Sequence, residues 1–495
     1  MNARFEILRA SIIVFCAMWT LIPRALEAQS EGDPVTIGTW REIESEVLGE
    51  TRRLIISKPE GYDNPENRFP VLFVLDGDSH FHHTTGLVEY MAGNDVMPQM
   101  LVVAITNTDR TRDLTPAKDE EDPAFPGAGG ADNFIKFLRD ELVPFIDENY
   151  RTEPYRILVG HSFGGLFAIH TLVHEPELFN AYIAISPSLQ WDDQKLVGQA
   201  EAFLHERPEL ACALYMTTGN EGGQLTGGVL KLAGVLREKC PAHFEWDQRI
   251  MEEETHGTVP YRSTRQGLDF VFADWGLRDP VPLYDSGGTA AIHRHYERAA
   301  AKFGMERPTP ASAFIFLATK LMFDGRLEDA RAVLEHDPGN FPPRAMLYSM
   351  IGKAWKDREK NDEAIECYTR ALEINPAAED ARQALTELGV DVESLVTAVT
   401  VPVETLQKYA GTYTSAGNDV EVQLEDGALA VEFLGQPQEK LIPVSDSEFV
   451  VKTGLYRIEF DSDEQGQATQ MTIRVVNGND IVCPRKDENA DEESD

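Results

Sequence analysis

The stretch Arg156-Ile-Leu-Val-Gly-His-Ser-Phe-Gly-Gly165 decides the fold of the first half of this 495-residue chain. An apolar run typical of a buried strand ends at Val159, and a helical pattern begins at Phe163. Between a strand and a helix, the G-x-S-x-G pattern places its serine on a tight turn that exposes the hydroxyl. The helix N-terminus directs N–H groups and a positive dipole at this point. The pattern therefore predicts Ser162 as a nucleophile.

The sequence around this motif alternates short apolar runs with helical patterns such as Asp132–Tyr150. Nearly continuous apolar strands separated by helices indicate a mainly parallel sheet covered on both faces. We therefore predict an α/β domain over residues 33–277, large enough for a full core. The predicted strands are Val71–Leu75, Leu101–Ile105, Arg156–Val159, Tyr182–Ile185 and Cys212–Met216.

A nucleophilic serine needs a base that accepts its proton. In hydrolases with this elbow the chain order is serine, acid, histidine. His256 follows the predicted strand Trp246–Met251 near the end of the domain, where the last loop should deliver the base. His170 and His174 lie too far along the elbow's own helix. His256 is the predicted base, and an ordinary surface histidine is the alternative.

The predicted acid is Glu221, in the loop that follows the strand beginning at Cys212. A carboxylate at this place can orient the base and stabilise its charged form. Asp192, Asp193 and Glu254 remain alternatives, as does a dyad that uses no acid.

An oxyanion hole needs two backbone N–H donors, one directly after the nucleophile and one in an earlier loop. Phe163 supplies the first, and a turn at Gly77 would present the N–H of Asp78. Three histidines follow at once, at positions 80, 82 and 83. Metal ligands normally come from several elements together with acidic or thiol partners, so His80, His82 and His83 are predicted to line the cleft. We predict no metal and no cofactor.

The N-terminus has the pattern of a secretory signal peptide. Arg4 and Arg9 lead into an apolar stretch that is too short to span a bilayer, and Ala28 offers a small residue for cleavage. We therefore predict a signal peptide over residues 1–28 and a periplasmic or secreted protein, with an uncleaved anchor as the alternative. Export permits a disulfide between Cys212 and Cys240, and free thiols are equally compatible with the sequence.

The chain is strongly acidic, with 45 Lys and Arg against 83 Asp and Glu and a formal net charge of −38. Such a surface repels phosphate backbones and anionic lipid head groups. The composition therefore argues against nucleic-acid binding and against binding to a membrane surface.

Four further segments follow the α/β domain. Residues 278–310 form a linker with a helix, and residues 311–392 resemble tetratricopeptide repeats because Ala330 and Ala364 lie one 34-residue period apart. An unrelated pair of helical hairpins is the alternative. Period-2 alternation over residues 403–484 predicts a small antiparallel β-domain. Residues 485–495 form an acidic tail, predicted to be disordered.

Several motifs together resemble one esterase family, which includes esterase D, enterobactin-type siderophore esterases, feruloyl esterases and mycolyltransferases. They are Leu75-Asp-Gly-Asp78, Asp109-Arg-Thr-Arg-Asp-Leu-Thr-Pro116, Gly160-His-Ser-Phe-Gly-Gly165, Ser186-Pro-Ser-Leu-Gln-Trp191 and His256-Gly257. The resemblance implies an α/β-hydrolase fold in which Ser162 and His256 act with the N–H groups of Asp78 and Phe163. It also implies that Arg110, Arg112 and Trp191 lie near the substrate. The stretch Leu406-Gln-Lys-Tyr-Ala-Gly-Thr-Tyr413 resembles small lipocalin-like domains of some secreted hydrolases.

We therefore predict a secreted or periplasmic serine esterase that passes through an acyl-enzyme on Ser162. Its substrate would be a small-molecule or conjugated ester, whose identity the sequence does not specify. An acyltransferase with the same intermediate is one alternative. A non-catalytic protein that binds a partner is the other, since the helical repeats could bind a protein or mediate self-assembly.

Overall fold

The computed structural model describes residues 34–119, 122–336, 343–395, 399–415, 418–432, 438–451, 456–474 and 480–486. The chain divides into two compact units. One contains residues 34–277 and 296–307, and the other contains residues 278–295 together with the chain from Pro308 onward.

The first unit is built on an eight-stranded sheet in the order β1-β2-β4-β3-β5-β6-β7-β8. The pairs β1–β2 and β2–β4 are antiparallel and every other pair is parallel. The central strands are buried along their whole apolar length because helices cover both faces. The strands are β1 Thr39–Ser45, β2 Glu50–Ser57, β3 Phe69–Val74, β4 Leu101–Ile105, β5 Thr152–His161, β6 Ala181–Ile185, β7 Cys212–Gly219 and β8 Phe244–Met251.

Helices of this unit pack on both faces of the sheet and form two separate apolar cores. The predicted α/β class is thereby confirmed. The predicted helix at Asp132–Tyr150 consists of two α-helices joined by a π-helical segment, Leu138–Leu142. The helices are α1 Gly77–Ala92, α2 Arg110–Leu114, α3 Ala131–Phe137, α4 Val143–Asn149, α5 Phe163–His174, α6 Lys195–Glu206, α7 Gly223–Lys239 and α8 Val259–Val271.

The predicted domain end at residue 277 omits a segment that packs with this unit. Phe303 is 1% exposed, and its ring lies 5.1 Å from that of Tyr155. The Arg307 guanidinium lies 3.7 Å above the ring centre of Trp275, an arrangement that favours a cation. Burial of these aromatic and cationic side chains explains why residues 296–307 belong to the unit.

The second unit contains helix pairs over the segment predicted to hold repeats. Gly352 permits close packing of two of these helices, since a Cβ there would lie 3.2 Å from the Tyr368 ring. The helix of the predicted linker begins at Val281 and is interrupted by non-helical backbone at Gly287 and Gly288. The helices are α9 Val281–Phe303, whose residues 296–303 belong to the first unit, α10 Ala311–Phe323, α11 Leu327–His336, α12 Pro343–Lys356, α13 Asn361–Ile374 and α14 Glu379–Glu387. Their identity as tetratricopeptide repeats stays a prediction.

An antiparallel sheet of eight strands follows helix α15 (Val403–Tyr409), as the alternation predicts. A bridge between Tyr413 and Arg485 brings its first and last strands together. Apolar side chains such as Tyr409 and Phe460, whose rings stack 4.7 Å apart, occupy its core. The strands are β9 Gly411–Ser415, β10 Asn418–Glu425, β11 Ala428–Glu432, β12 Glu439–Pro443, β13 Glu448–Val451, β14 Arg457–Ser462, β15 Ala468–Arg474 and β16 Ile481–Pro484.

The predicted signal peptide and most of the acidic tail lie outside the described residues. None of the helices in the described ranges is long and apolar enough to cross a membrane. Cys212 and Cys240 are free thiols, so the suggested disulfide between them is not formed. Burial raises the pKa of Cys212 to about 12 and keeps this thiol protonated.

Candidate active site

Ser162 occupies the turn between β5 and α5 with φ 62° and ψ −114°. Such a backbone conformation is strained for a residue with a side chain, and strain of this kind concentrates at functional sites. Gly160 is essential to the turn, because a Cβ there would lie 2.1 Å from the carbonyl oxygen of Gly164. The G-x-S-x-G pattern thus has the strand–turn–helix geometry that the sequence predicts.

The end of β6 and the loop that follows it form hydrogen bonds with the nucleophile turn. The Ser162 N–H donates to the Ile185 carbonyl at 2.9 Å, and the Ser188 N–H donates to the Ser162 carbonyl at 3.1 Å. The hydroxyls of Ser162 and Ser188 lie 3.4 Å apart. Sequence reasoning attached no role to Ser188, since its contact with the nucleophile depends on the crossing of two loops.

The Glu221 carboxylate is buried, with 2% of its side chain exposed. Its Oε1 accepts a 2.6 Å hydrogen bond from the Ser186 hydroxyl and a 3.1 Å bond from the Gly219 N–H. Both bonds fix the position of the carboxylate in the loop after β7. The structure thus places Glu221 where it can act as the orienting acid, a role that stays a prediction.

His256 lies beside Glu221, with 3.3 Å between its Nδ1 and the carboxylate Oε1. Within the described part of the chain this Nδ1 has no aligned hydrogen bond, and none joins His256 to Ser162. The His256 ring packs 4.5 Å from that of His161, the neighbour of the nucleophile. Catalytic hydrogen bonds in ligand-free enzymes are often long or poorly aligned, so this arrangement is compatible with a base.

The alternative acids have different surroundings. Asp192 is 3.8 Å from Lys195, Glu254 is 3.9 Å from Arg262, and Asp193 is exposed. Among the described residues, Glu221 is the only carboxylate within ion-pair distance of His256.

The oxyanion loop differs in detail from the prediction. The left-handed residue is Asp76, with φ 54°, and not Gly77, which is already the first residue of α1. Gly77 is needed for close packing instead, since a Cβ there would lie 2.9 Å from the backbone of Ala104. Asp78 is in the first turn of α1 and Phe163 is the first residue of α5, so both have N–H groups at helix N-termini.

Asp76 and Arg110 form an ion pair that the sequence analysis missed. The buried Asp76 carboxylate accepts bonds from Arg110 Nε at 2.6 Å and Nη2 at 3.0 Å, and from the Asn107 amide at 2.7 Å. The same Nη2 donates to the His161 carbonyl at 3.2 Å. Arg110, which the resemblance places near the substrate, therefore links the loop after β3 to the nucleophile elbow.

Arg112 lies in a different ion-pair network, with Glu50 at 2.6 Å and Asp113 at 2.7 Å. Arg52 joins the same two carboxylates. The hydrogen bond from Arg112 lowers the pKa of Glu50. In the described part of the chain, no contact joins Arg112 to Ser162 or His256, so the structure does not bring it to the predicted site.

Trp191 forms part of an aromatic wall next to the nucleophile. Its ring lies 5.4 Å from that of Phe163 and 5.2 Å from that of Phe125, with the Lys118 ammonium 4.0 Å above it. The indole N–H donates to the Pro116 carbonyl at 3.0 Å. In this wall, formed by Phe125, Phe163 and Trp191, the Trp191 ring is buried, and the exposed Phe125 is the member that can pack against an apolar or aromatic part of a ligand.

His80, His83 and His161 lie close to one another beside the nucleophile turn. His80 Nδ1 and His83 Nε2 are 3.0 Å apart, and the His80 ring lies 5.7 Å from that of His161. Burial lowers the pKa of His83 to about 4 and that of His161 to about 3, so both rings are neutral near pH 7. No group of three or more potential ligands among the described residues could hold a metal ion.

Comparison with known proteins relates this site to an esterase family. Residues 45–227 match the family model described as Putative esterase, and residues 396–487 match a domain of unknown function (DUF3471). A ferri-bacillibactin esterase of Bacillus subtilis is 30% identical over 182 residues, which cover 33% of this chain and 63% of that relative. A siderophore triacetylfusarinine C esterase of Aspergillus fumigatus is 26% identical over 261 residues, covering 44% and 84%.

A solved structure supports the same relationship. An IroE-like serine hydrolase from Shewanella oneidensis is 26% identical, with a TM-score of 0.50, and the match covers 60% of this chain and 99% of that one. The chain spans less than two thirds of the first curated relative and most of the second. The segment 45–227, which carries the serine elbow, is therefore similar to the Putative esterase family.

Proposed function

We propose that this chain is a serine ester hydrolase in which Ser162 attacks the ester carbonyl. The observation that carries the proposal is the strained serine on the turn before α5, combined with a buried glutamate 3.3 Å from a histidine. Relatives named siderophore esterases match part of this chain, and residues 45–227, which contain the elbow, match the Putative esterase model.

In the proposed reaction His256 accepts the hydroxyl proton while Ser162 forms a bond to the carbonyl carbon. His256 then passes the proton to the leaving alcohol as the ester bond breaks. Water, activated by the same histidine, hydrolyses the acyl-enzyme and releases the acid. The N–H groups of Phe163 and Asp78 are the proposed donors to the negatively charged oxygen.

The proposed substrates are esters of the siderophore type. The names of the relatives support this class, and the aromatic wall beside Ser162 offers an apolar surface for a large ligand. The basic and apolar pattern before residue 28 supports export to the periplasm or outside the cell.

Chromatographic assays of ester cleavage test this proposal. The full chain should hydrolyse a catecholate or hydroxamate siderophore ester faster than p-nitrophenyl acetate, measured by kcat/KM, and Ser162→Ala should lower both rates by at least about 1,000-fold. Undiminished activity of Ser162→Ala would refute the serine mechanism. Hydrolysis of simple esters alone would refute the proposed substrate class.

A further inference from the structure

Ser186 is buried and has an unfavourable backbone conformation, and the proposed reaction assigns it no role. It is 0% exposed and has a φ of 42°, in the left-handed region. Its N–H donates to the Thr217 carbonyl at 2.7 Å. A serine in this conformation persists only where its surroundings fix it, and such positions are concentrated at functional sites.

The Ser186 hydroxyl contacts the proposed catalytic acid directly. It donates a 2.6 Å hydrogen bond to Glu221 Oε1, the same oxygen that lies 3.3 Å from His256 Nδ1. In the described part of the chain, no other side chain donates a hydrogen bond to this carboxylate. The hydroxyl and the Gly219 N–H therefore both bind the carboxylate oxygen that faces His256.

The segment that carries Ser186 also contacts the nucleophile turn. The carbonyl of Ile185 accepts from the Ser162 N–H, and the Ser188 N–H donates to the Ser162 carbonyl. Gly165 of α5 packs closely on this segment, since a Cβ there would lie 2.9 Å from the Cα of Pro187. Four consecutive residues thus connect the nucleophile to the acid.

We propose that Ser186 is a positioning residue, which holds Glu221 so that its Oε1 faces the base. This inference rests on the proposed hydrolase function. A positioning role predicts that loss of the hydroxyl lowers kcat and leaves KM nearly unchanged, because Ser186 contacts the acid and not the ligand. It also predicts that removal of the hydroxyl no longer lowers kcat once Glu221 has been replaced by an uncharged residue.

A double-mutant cycle with Ser186→Ala and Glu221→Gln tests the role, using an activated aryl ester so that slow variants remain measurable. A hydrogen bond to a charged group corresponds to a rate factor of about 10 to 100, so Ser186→Ala should lower kcat by that factor. In the Glu221→Gln background the same substitution should change kcat by less than about threefold, since interacting residues are not additive.

Two further variants separate positioning from folding. Ser186→Gly also removes the hydroxyl but accepts a positive φ, so it should show the same loss of kcat without lower thermal stability. Ser263→Ala removes another buried hydroxyl, which bonds Thr217 Oγ1 at 2.7 Å, and should retain activity.

The positioning role would be overturned if Ser186→Ala lowered kcat equally in the native and the Glu221→Gln proteins, or if Ser186→Gly had full activity. Retained activity in Ser162→Ala would instead refute the proposed function, so the two failures are distinguishable.

Discussion

The Oε1 atom of Glu221 and the Nδ1 atom of His256 lie 3.3 Å apart. The two residues belong to the loops that follow the neighbouring strands β7 and β8. The two loops are bound together, because the Asn220 N–H donates to the Glu254 carbonyl at 2.7 Å. Gly219 permits this approach, since a Cβ there would lie 2.7 Å from the same carbonyl oxygen. The parallel pairing of these two strands thus brings Glu221 and His256 together.

Glu221→Gln should lower kcat/KM by at least about 100-fold, because the neutral amide cannot stabilise a charged histidine as the carboxylate does. Glu254→Gln and Asp192→Asn are matched controls and should retain activity within about threefold. Steady-state kinetics with an aryl ester checks this expectation. A larger loss in either control than in Glu221→Gln would reassign the acid.

Gly160→Ala should prevent the nucleophile turn from forming, because the added Cβ would meet the Gly164 carbonyl at 2.1 Å. We expect a loss of unfolding free energy of about 3 kcal/mol or more, or no soluble protein. Gly198→Ala is the control, since its Cβ would have no neighbour within 4 Å on helix α6 and should be neutral or stabilising. Urea unfolding measures both, and equal stability of the two variants would contradict the steric argument.

Arg110→Met should destabilise the protein, because it leaves the buried Asp76 carboxylate without its cation. Since Arg110 is about one-third exposed, we expect about 2 kcal/mol, less than for a fully buried pair. The double variant Arg110→Met, Asp76→Asn removes both charges and should recover part of the loss. Arg139→Met, at an exposed ion pair, should leave the unfolding free energy nearly unchanged. No recovery in the double variant would show that charge is not the cause.

Buried histidines should make the stability depend on pH. Burial lowers the pKa of His170 to about 4 from an ordinary 6.5, outweighing its bond to Asp132. Between these values the unfolded chain binds a proton that the native chain does not, so stability is full above pH 6.5 and falls towards pH 4. The slope from one such histidine approaches about 1.4 kcal/mol per pH unit.

His170→Gln should reduce this slope, and His243→Gln, at an exposed histidine, should leave it unchanged. Urea unfolding between pH 4 and pH 7 provides the comparison. An identical slope in the wild-type and His170→Gln proteins would contradict the proposed linkage.

Local sequence patterns were sufficient for the elements that carry the proposed chemistry. The apolar run before Ser162 and the glycines around it specify the strand–turn–helix unit, because only small residues fit the close backbone contacts. The order of serine, acid and histidine along the chain, together with the loops after two predicted strands, then suggested Glu221 and His256. Strand β1 was not predicted, because it is an exposed edge strand whose residues Thr39–Ser45 lack an apolar pattern.

Other features of the site depend on tertiary contacts. Residue type did not indicate that Asp76 would adopt a left-handed conformation and pair with Arg110. The same holds for Ser186, whose role depends on where the loops after β6 and β7 meet. A cluster of polar residues directly after strand ends is the signal that could have drawn attention to them.

The central claim is that Ser162 is the activated nucleophile. Intact-protein mass spectrometry after treatment with a fluorophosphonate, followed by peptide mapping, tests it most directly. We expect one adduct per chain, located on Ser162, with strongly slowed labelling in His256→Ala and none at this position in Ser162→Ala. A native chain that remains unlabelled, or whose label lies on another serine, would contradict the account.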